Sequence, residues 1–260
     1  MPEVKVLTRS TVFGYHDHNF LTIQERLFDH LPYNQRQGAR ERVWRVRAKE
    51  VVLATGAHER PLVFGDNDLP GVMLASAVST YVNRFAVAPG KRVVLFTNND
   101  SVYPIALDLL NAGIEVAAVV DARSRVGGLA VNRVRERGVE LIAGSVVVRA
   151  LGKGQVRGAE VMALDGEKVT GGVRRLDCDL LAVSGGFSPV LHLSAHSGAK
   201  AIWDETQACF LPGKPVQRER SAGACKGTRG LGDCLAEGSF AGAQAAQQAG
   251  FGNGSCVACG

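Results

Sequence analysis

Val51–Ala57, with the sequence VVLATGA, decides the fold, and the tetrapeptide HERP follows it at residues 58–61. Two β-branched residues and a leucine predict a buried strand, which ends in the small residues 54–56. Such backbone lets another molecule approach closely. Residues 43–49 alternate between apolar and basic side chains, which indicates a preceding strand with one face in solvent. A strand that ends in small residues also occurs in ordinary α/β proteins, so this segment alone leaves that alternative open.

A second unit of the chain begins after residue 90. Val93–Phe96 is a predicted buried strand, Ser101–Asn111 an amphipathic helix that ends at Gly113, and Ile114–Asp121 the next strand. This βαβ pattern predicts a small Rossmann-like unit, and residues 176–186 close it with a further strand that ends in glycines. We therefore expect three segments: 1–85 from a first dinucleotide-binding domain, 86–185 as an inserted smaller domain, and 186–260 returning to the first domain.

Glycine-rich turns that cradle a pyrophosphate are missing from the expected places. No GxGxxG motif precedes Val51, so we expect the first dinucleotide fold to be truncated at its N-terminus. The βα turn of the second unit, Thr97–Tyr103, contains no glycine and carries Asp100 where phosphate charge would lie. Asp121 stands where a ribose-binding acid belongs, although we favour a structural role, because an aspartate after a strand often caps the next element. These features favour the first unit as the dinucleotide site.

Several motifs together carry a family resemblance. Val12–Asn19 reads VFGYHDHN, Asn67–Ala77 reads NDLPGVMLASA, and Arg92–Asp100 reads RVVLFTNND. With the segment VVLATGA, this combination is similar to the alpha subunits of heterotetrameric sarcosine oxidases, from about residue 12 to about residue 250. Related amine and opine oxidase subunits share parts of the pattern. The resemblance implies an α/β, two-dinucleotide-binding, disulfide-reductase-like fold with β-hairpins.

Candidate cofactor-binding residues follow from this fold class and from the segment 222–234. The resemblance implies that Val12 lies beside the adenine and that Thr55 and Gly56 lie near the pyrophosphate. The segment AGACKGTRGLGDC at 222–234 is rich in glycine and leads into an alanine-rich helix, which suits a ribose or a pyrophosphate. There we expect Ala224, Arg229 and Leu231 beside the dinucleotide and Asp233 as a hydroxyl acceptor. A glycine-rich turn with a capping aspartate is the alternative.

The resemblance also implies a function. In that family the alpha subunit carries NAD, and the complex oxidatively demethylates sarcosine to glycine at a flavin, FAD or FMN, held largely by a beta subunit. The one-carbon unit passes to tetrahydrofolate on a further domain. The sequence shows no recognisable catalytic or amine-binding residue. Because it lacks the glycine-rich turn and the folate-binding domain that the resemblance implies, we expect the isolated chain to bind cofactor weakly or not at all and to be inactive. Two alternatives remain: a non-catalytic module that docks partner subunits, and an NAD(P)H-dependent reductase of the same fold.

Composition excludes several other classes. The chain has 260 residues, a formal charge of +5 and no aromatic-interleaved basic motif, so we expect no nucleic-acid partner. It shows no leader-like segment and no apolar run of membrane-spanning length, and its six cysteines are scattered, so we expect a cytoplasmic protein. The CxxC at Cys256 and Cys259 lacks a second pair. The histidine pairs 16/18 and 192/196 lack further ligands, so no metal site is predicted.

Overall fold

A computed structural model describes residues 4–252, and within them the chain forms two compact units. The first unit combines the residues up to His58 with those from Ser188 onward, and the second comprises Glu59–Phe187. The predicted boundary after residue 85 therefore differs from the observed one, since Val72–Phe85 lies in the second unit. The return to the first unit after Phe187 lies two residues beyond the predicted position, residue 185.

The strands and helices of the described residues are numbered along the chain. The strands are β1 Ser10–His16, β2 Phe20–Arg26, β3 Glu41–Arg47, β4 Val51–Leu53, β5 Ala57–Glu59, β6 Val72–Leu74, β7 Arg92–Thr97, β8 Glu115–Asp121, β9 Glu140–Ala143, β10 Ser145–Gly152, β11 Val156–Asp165, β12 Lys168–Asp177, β13 Leu180–Ser184, β14 Phe187–Pro189, β15 Ala201–Asp204, β16 Cys209–Pro212 and β17 Glu219–Ser221. The helices are α1 Ala75–Phe85, α2 Val102–Asn111, α3 Leu129–Glu136, α4 His192–His196 and α5 Leu231–Gln248.

The first unit contains an antiparallel sheet in the order β1-β2-β3. A tight turn joins β1 to β2, and its residues His18 and Asn19 have φ of 61° and 52°. The sequence of residues 21–31 is compatible with a short helix or a distorted strand, and the structure has a strand that ends at Arg26. Tyr15 and Leu21 of this sheet are buried together with Val51 and Leu53 in one apolar cluster.

Strand β4 of the first unit pairs in parallel with β17, which comes from the far end of the sequence. Val51 lies opposite Glu219, and Leu53 lies opposite Ser221. Backbone hydrogen bonds flank the pair: the Val51 N–H donates to the Arg218 carbonyl at 3.0 Å, and the Ala222 N–H donates to the Leu53 carbonyl at 2.9 Å. The segments 51–56 and 222–233 therefore leave adjacent strands at the same end.

The second unit is built on a five-stranded sheet in the order β6-β13-β7-β8-β9, with all neighbours parallel. Alternate residues of β7 enter two different apolar clusters, Leu95 on one face and Val94 and Phe96 on the other. The first cluster includes residues of α1, α2 and α3, and the second includes residues of the antiparallel sheet β10-β11-β12. Burial on both faces explains why β7 reads as a continuous apolar run.

Strand β6 explains why the second unit begins earlier in the chain than its βαβ pattern indicates. Its residues pair with β13, so that Val72 lies opposite Leu181 and Leu74 opposite Val183. Helix α1 follows directly, and its Ala75 and Val78 are fully buried in the cluster of the second unit. The sequence predicts a helix over residues 76–85, which matches α1, but carries no information about which sheet the helix covers. Among residues 4–252, no helix is long and apolar enough to cross a membrane.

Candidate dinucleotide-binding site

The small-residue segment after β4 has an open, fixed backbone. The Thr55 hydroxyl donates to the Val190 carbonyl at 2.8 Å, and the Val190 N–H donates to the Gly56 carbonyl at 2.9 Å. Gly56 has φ of +76°, and a Cβ placed on it would meet nothing within 4 Å. Glycine is therefore required by the backbone conformation and not by crowding, and the space in front of it is available to another molecule.

The segment after β17 turns beside the end of β4. Residues Gly223–Lys226 form one turn of 3₁₀ helix, which contains Ala224, and Gly223 has φ of +75°. The buried Cys225 sulfur lies 3.2 Å from the Leu53 carbonyl oxygen, a contact between residues 172 positions apart. The structure thus brings Thr55 and Gly56 to the same end of the β4–β17 pair as Ala224.

Glu237 of α5 holds this turn in place, and no sequence pattern indicates that it does so. Its Oε2 accepts the Gly223 N–H at 2.8 Å, and its Oε1 accepts the Lys226 ammonium at 2.7 Å. Partial burial raises the pKa of the Glu237 carboxyl, but these hydrogen bonds outweigh it and leave the pKa below its ordinary value. An acidic residue in the interior of a predicted helix is common, and nothing in the neighbouring sequence indicates a contact with a distant turn.

The predicted residues at the start of α5 are exposed. Gly230 is the N-terminal flanking residue of the helix, Leu231 is 77% exposed, and Asp233 lies in the first turn. No side chain makes an N-terminal capping hydrogen bond, so the helix start keeps its N–H groups and its positive dipole end. Arg229 is also exposed, and its guanidinium donates to Gln207 Oε1 at 3.3 Å. The Asp233 carboxylate folds back towards Gly230, so ribose binding and capping by Asp233 both stay predictions.

Val12 differs from the other predicted residues because its side chain is part of the packing. It lies on β1 opposite Ile23 and packs against the apolar cluster that contains Val51 and Leu53. The structure therefore associates Val12 with β4 through the apolar cluster. Its assignment to the adenine stays a prediction.

The βα turn of the second unit is filled by its own polar side chains. The Arg123 guanidinium donates to Asp100 Oδ1 and to Asp121 Oδ2, both at 2.7 Å. Asp121 is 1% exposed, and its Oδ2 also accepts the Tyr103 hydroxyl at 2.8 Å. The hydrogen bond to Asp121 raises the pKa of Arg123, and burial together with Asp121 raises the pKa of Tyr103. This network favours the structural interpretation of Asp121 over ribose binding.

Metal ligation finds no geometric support in residues 4–252, where no three His, Cys, Asp or Glu side chains gather to hold an ion. His192 and His196 lie at the two ends of the five-residue helix α4. The terminal pair Cys256 and Cys259 lies outside the described residues.

Comparison with known sequences shows which proteins the chain is similar to. No protein-family model matches the chain. It is 43% identical over 252 residues to the sarcosine oxidase alpha subunit of Corynebacterium sp. strain U-96, covering 96% of this chain and 26% of that protein. The corresponding protein of Rhizobium meliloti strain 1021 is 40% identical over 239 residues, covering 92% of this chain and 23% of the relative. The chain is a homologue of part of the sarcosine oxidase alpha subunit. The resemblance seen in the motifs is thereby confirmed.

Opine oxidase subunits are also similar to this chain, at lower sequence identity and over fewer residues. An opine oxidase subunit of Agrobacterium tumefaciens strain Ach5 is 28% identical over 184 residues, covering 64% of this chain and 36% of that protein. The chain spans about a quarter of the length of the sarcosine oxidase subunits that it matches. They are named as subunits, so they belong to multi-subunit enzymes.

Solved structures confirm the predicted fold class. L-proline dehydrogenase from P. horikoshii matches with a TM-score of 0.63 and 18% identity, covering 94% of this chain and 41% of that one. Thioredoxin reductase from Lactococcus lactis matches with a TM-score of 0.62 and 16% identity, covering 92% of this chain and 74% of the reductase. At these identities the likeness establishes the disulfide-reductase-like dinucleotide-binding fold and nothing finer.

The structural role of Asp121 predicts a loss of stability on substitution. Asp121→Asn removes one acceptor from the Tyr103–Arg123 network. We expect the free energy of unfolding to fall by about 2–4 kcal/mol. This loss is smaller than for a fully buried ion pair, because the Arg123 side chain is a third exposed to solvent. The exposed partner gives the matched control, since Asp100→Asn should cost less than about 1 kcal/mol. Urea denaturation measures both. Equal stability of Asp121→Asn and wild type would instead leave Asp121 free for a ligand role.

Glu219 predicts a pH dependence of the first unit. The residue is 7% exposed, its Oε1 accepts the Ser197 hydroxyl at 2.5 Å, and burial raises the pKa of its carboxyl above the ordinary 4.5. A raised folded-state pKa adds stability that is present below 4.5 and is lost as the pH rises through the raised value. Glu219→Gln should therefore gain stability relative to wild type between about pH 4 and pH 7, as measured by urea denaturation at both values.

The corresponding substitution at Glu237 should change stability with pH in the opposite direction. Because the folded-state pKa of Glu237 is lowered, its contribution is present at neutral pH and is lost as the pH falls. Glu237→Gln should therefore lose stability relative to wild type between about pH 4 and pH 7. If both variants change in the same direction, the assignment of the two carboxyl groups is wrong.

Proposed function

We propose that this chain is the dinucleotide-binding portion of a sarcosine oxidase-like amine oxidoreductase. Its homology to the sarcosine oxidase alpha subunit supports this function. The observation that carries the proposal is the meeting of two distant segments, one ending in Thr55 and Gly56 and the other containing Ala224, beside adjacent parallel strands. Ligands of open α/β sheets bind outside the carboxyl ends of the strands, which is where both segments lie.

Each predicted residue has a physical role at such a site. The open backbone at Gly56 permits close approach of a pyrophosphate, and the uncapped start of α5 supplies N–H groups and a positive dipole end. Asp233 in the first turn of α5 offers a carboxylate that accepts a ribose hydroxyl. Arg229 offers charge to a phosphate. NAD is the proposed occupant of this site.

The surrounding enzyme is part of the same proposal. FAD or FMN, held largely by a beta-like partner subunit, would supply the redox chemistry that oxidises the amine. The complex would demethylate sarcosine to glycine and transfer the one-carbon unit to tetrahydrofolate. The role of this chain is to bind and orient the dinucleotide in the alpha subunit, in the cytoplasm. No residue of the chain is assigned to the chemical step.

The structure disfavours the reductase alternative and gives some support to the docking alternative. An NAD(P)H-dependent reductase would need the second unit to bind a nicotinamide dinucleotide, and the Asp100–Arg123–Asp121 network disfavours this. A docking module finds one supporting observation: among the residues of α5, only Ala241 is buried, whereas Leu235 and Phe240 are 53% and 55% exposed. Docking of partner subunits is compatible with dinucleotide binding and would add to it.

A chimera tests the proposed function. We expect the isolated chain to bind NAD weakly or not at all, whereas the chain placed in the matching quarter of the Corynebacterium protein should retain NAD through purification with its partner subunits. Asp233→Ala should weaken NAD binding of the chimera about tenfold or more by loss of a charge-assisted hydrogen bond. Isothermal titration measures this.

Glu205 provides the matched control, because it is exposed and lies in the turn between β15 and β16. Glu205→Ala should leave NAD binding of the chimera unchanged. A correctly folded chimera that does not bind NAD would disprove the function, and a tight NAD complex of the isolated chain would contradict the expectation that it needs the rest of the protein.

A further inference from the structure

A cationic cavity lies in the first unit, at the other end of the β4–β17 pair. It has a volume of about 350 Å³ and is lined by residues from three separate segments of the chain, namely His18, Asn19, Arg47, Ala48, Lys49, Gln217 and Arg218. Lys49 and Arg218 precede strands β4 and β17. The cavity therefore lies at the amino ends of the strands whose carboxyl ends form the candidate dinucleotide site.

Asn19 fixes the walls of this cavity. It is 4% exposed, and its Oδ1 accepts the Tyr15 hydroxyl at 2.8 Å and the Arg218 N–H at 3.2 Å. Its Nδ2 donates to the Lys49 carbonyl at 3.3 Å and to the Arg218 carbonyl at 3.0 Å. One buried amide thus ties the three segments together, and the cavity is a preformed feature of the backbone.

A second set of contacts joins the β1–β2 turn to the segment before β17. The His18 N–H donates to Gln217 Oε1 at 3.1 Å, and Gln217 Nε2 donates to Asp17 Oδ1 at 3.2 Å. Asp17 is the acidic residue held at this rim, and its carboxylate faces Gln217. The glutamine side chain therefore bridges the turn without neutralising the cations of the cavity.

The cations of the cavity lack acidic partners. Among the described residues, no carboxylate forms an ion pair with Arg47, Lys49 or Arg218. The Arg47 guanidinium lies 5.8 Å from the Phe20 ring, and the Lys49 ammonium donates to the Ala249 carbonyl at 3.3 Å. Placing the Arg47 and Arg218 charges at one cavity costs electrostatic energy unless an anion offsets it.

We infer that this cavity binds an oxyanion, a phosphate or carboxylate group of a small molecule, through Arg47 and Arg218. Two guanidinium groups offer paired N–H donors that match the geometry of such groups. A volume of about 350 Å³ leaves room for an oxyanion with part of its hydration shell. This site is separate from the proposed dinucleotide site and does not depend on it.

Titration of the 260-residue chain with inorganic phosphate, followed by isothermal calorimetry at constant ionic strength, tests the inference. A parallel titration with citrate distinguishes a phosphate source from a carboxylate source, and sodium chloride reports general ionic effects. We expect saturable binding of at least one of the two anions. Arg47→Gln and Arg218→Gln should each weaken that binding about tenfold or more. Both side chains are exposed, and circular dichroism checks that each variant is folded.

Two further variants make the result decisive. Arg45→Gln removes an exposed cation from the same strand but outside the cavity, and should change the dissociation constant by less than about twofold. Arg229→Gln removes the cation of the proposed dinucleotide site and should also have little effect. The inference is overturned if neither anion binds saturably, if Arg47→Gln and Arg218→Gln bind like wild type, or if Arg229→Gln alone abolishes binding, because the anion would then lie at the dinucleotide site.

Discussion

The parallel pairing of Val51–Leu53 with Glu219–Ser221 is the constraint on which the candidate site depends. It joins two segments that are far apart in sequence and fixes their register through backbone hydrogen bonds at both ends. Contacts beyond the strands reinforce it, since the Cys225 sulfur lies beside the Leu53 carbonyl and Glu237 fixes the turn that begins at Gly223. Without this pairing, the small residues after β4 and the start of α5 would have no common location.

The same pairing gives the first unit two chemically different ends. At the carboxyl ends of the strands, the backbone at Gly56 is open, which suits the approach of a dinucleotide. At the amino ends, Arg47 and Arg218 surround a cavity whose walls are tied together by Asn19. A strand pair that fixes one end of a sheet also fixes the other, so the proposed dinucleotide site and the cavity depend on the same pairing. The second unit differs, because its own Arg123 satisfies the carboxylates at its βα turn.

Much of this architecture could be predicted from sequence, and the remainder could not for physical reasons. The apolar runs of β7 and β8 and the helical pattern of α2 follow from local periodicity, and short motifs predicted the similarity to the sarcosine oxidase alpha subunit. The assignment of β6 to the second sheet depends on pairing with β13, which no local pattern records. Likewise, the roles of Asn19 and Glu237 come from contacts with residues distant in sequence, and polar side chains in ordinary turns and helices give no signal of such contacts.

Hydrogen exchange of the chimera with and without NAD tests the central claim most directly, because it reports on every backbone amide at once. The account predicts that NAD slows exchange together at Gly56 and at residues 224–231, while the turn Thr97–Tyr103 of the second unit is unchanged. Slower exchange confined to Thr97–Tyr103, or to only one of the two segments of the first unit, would contradict it.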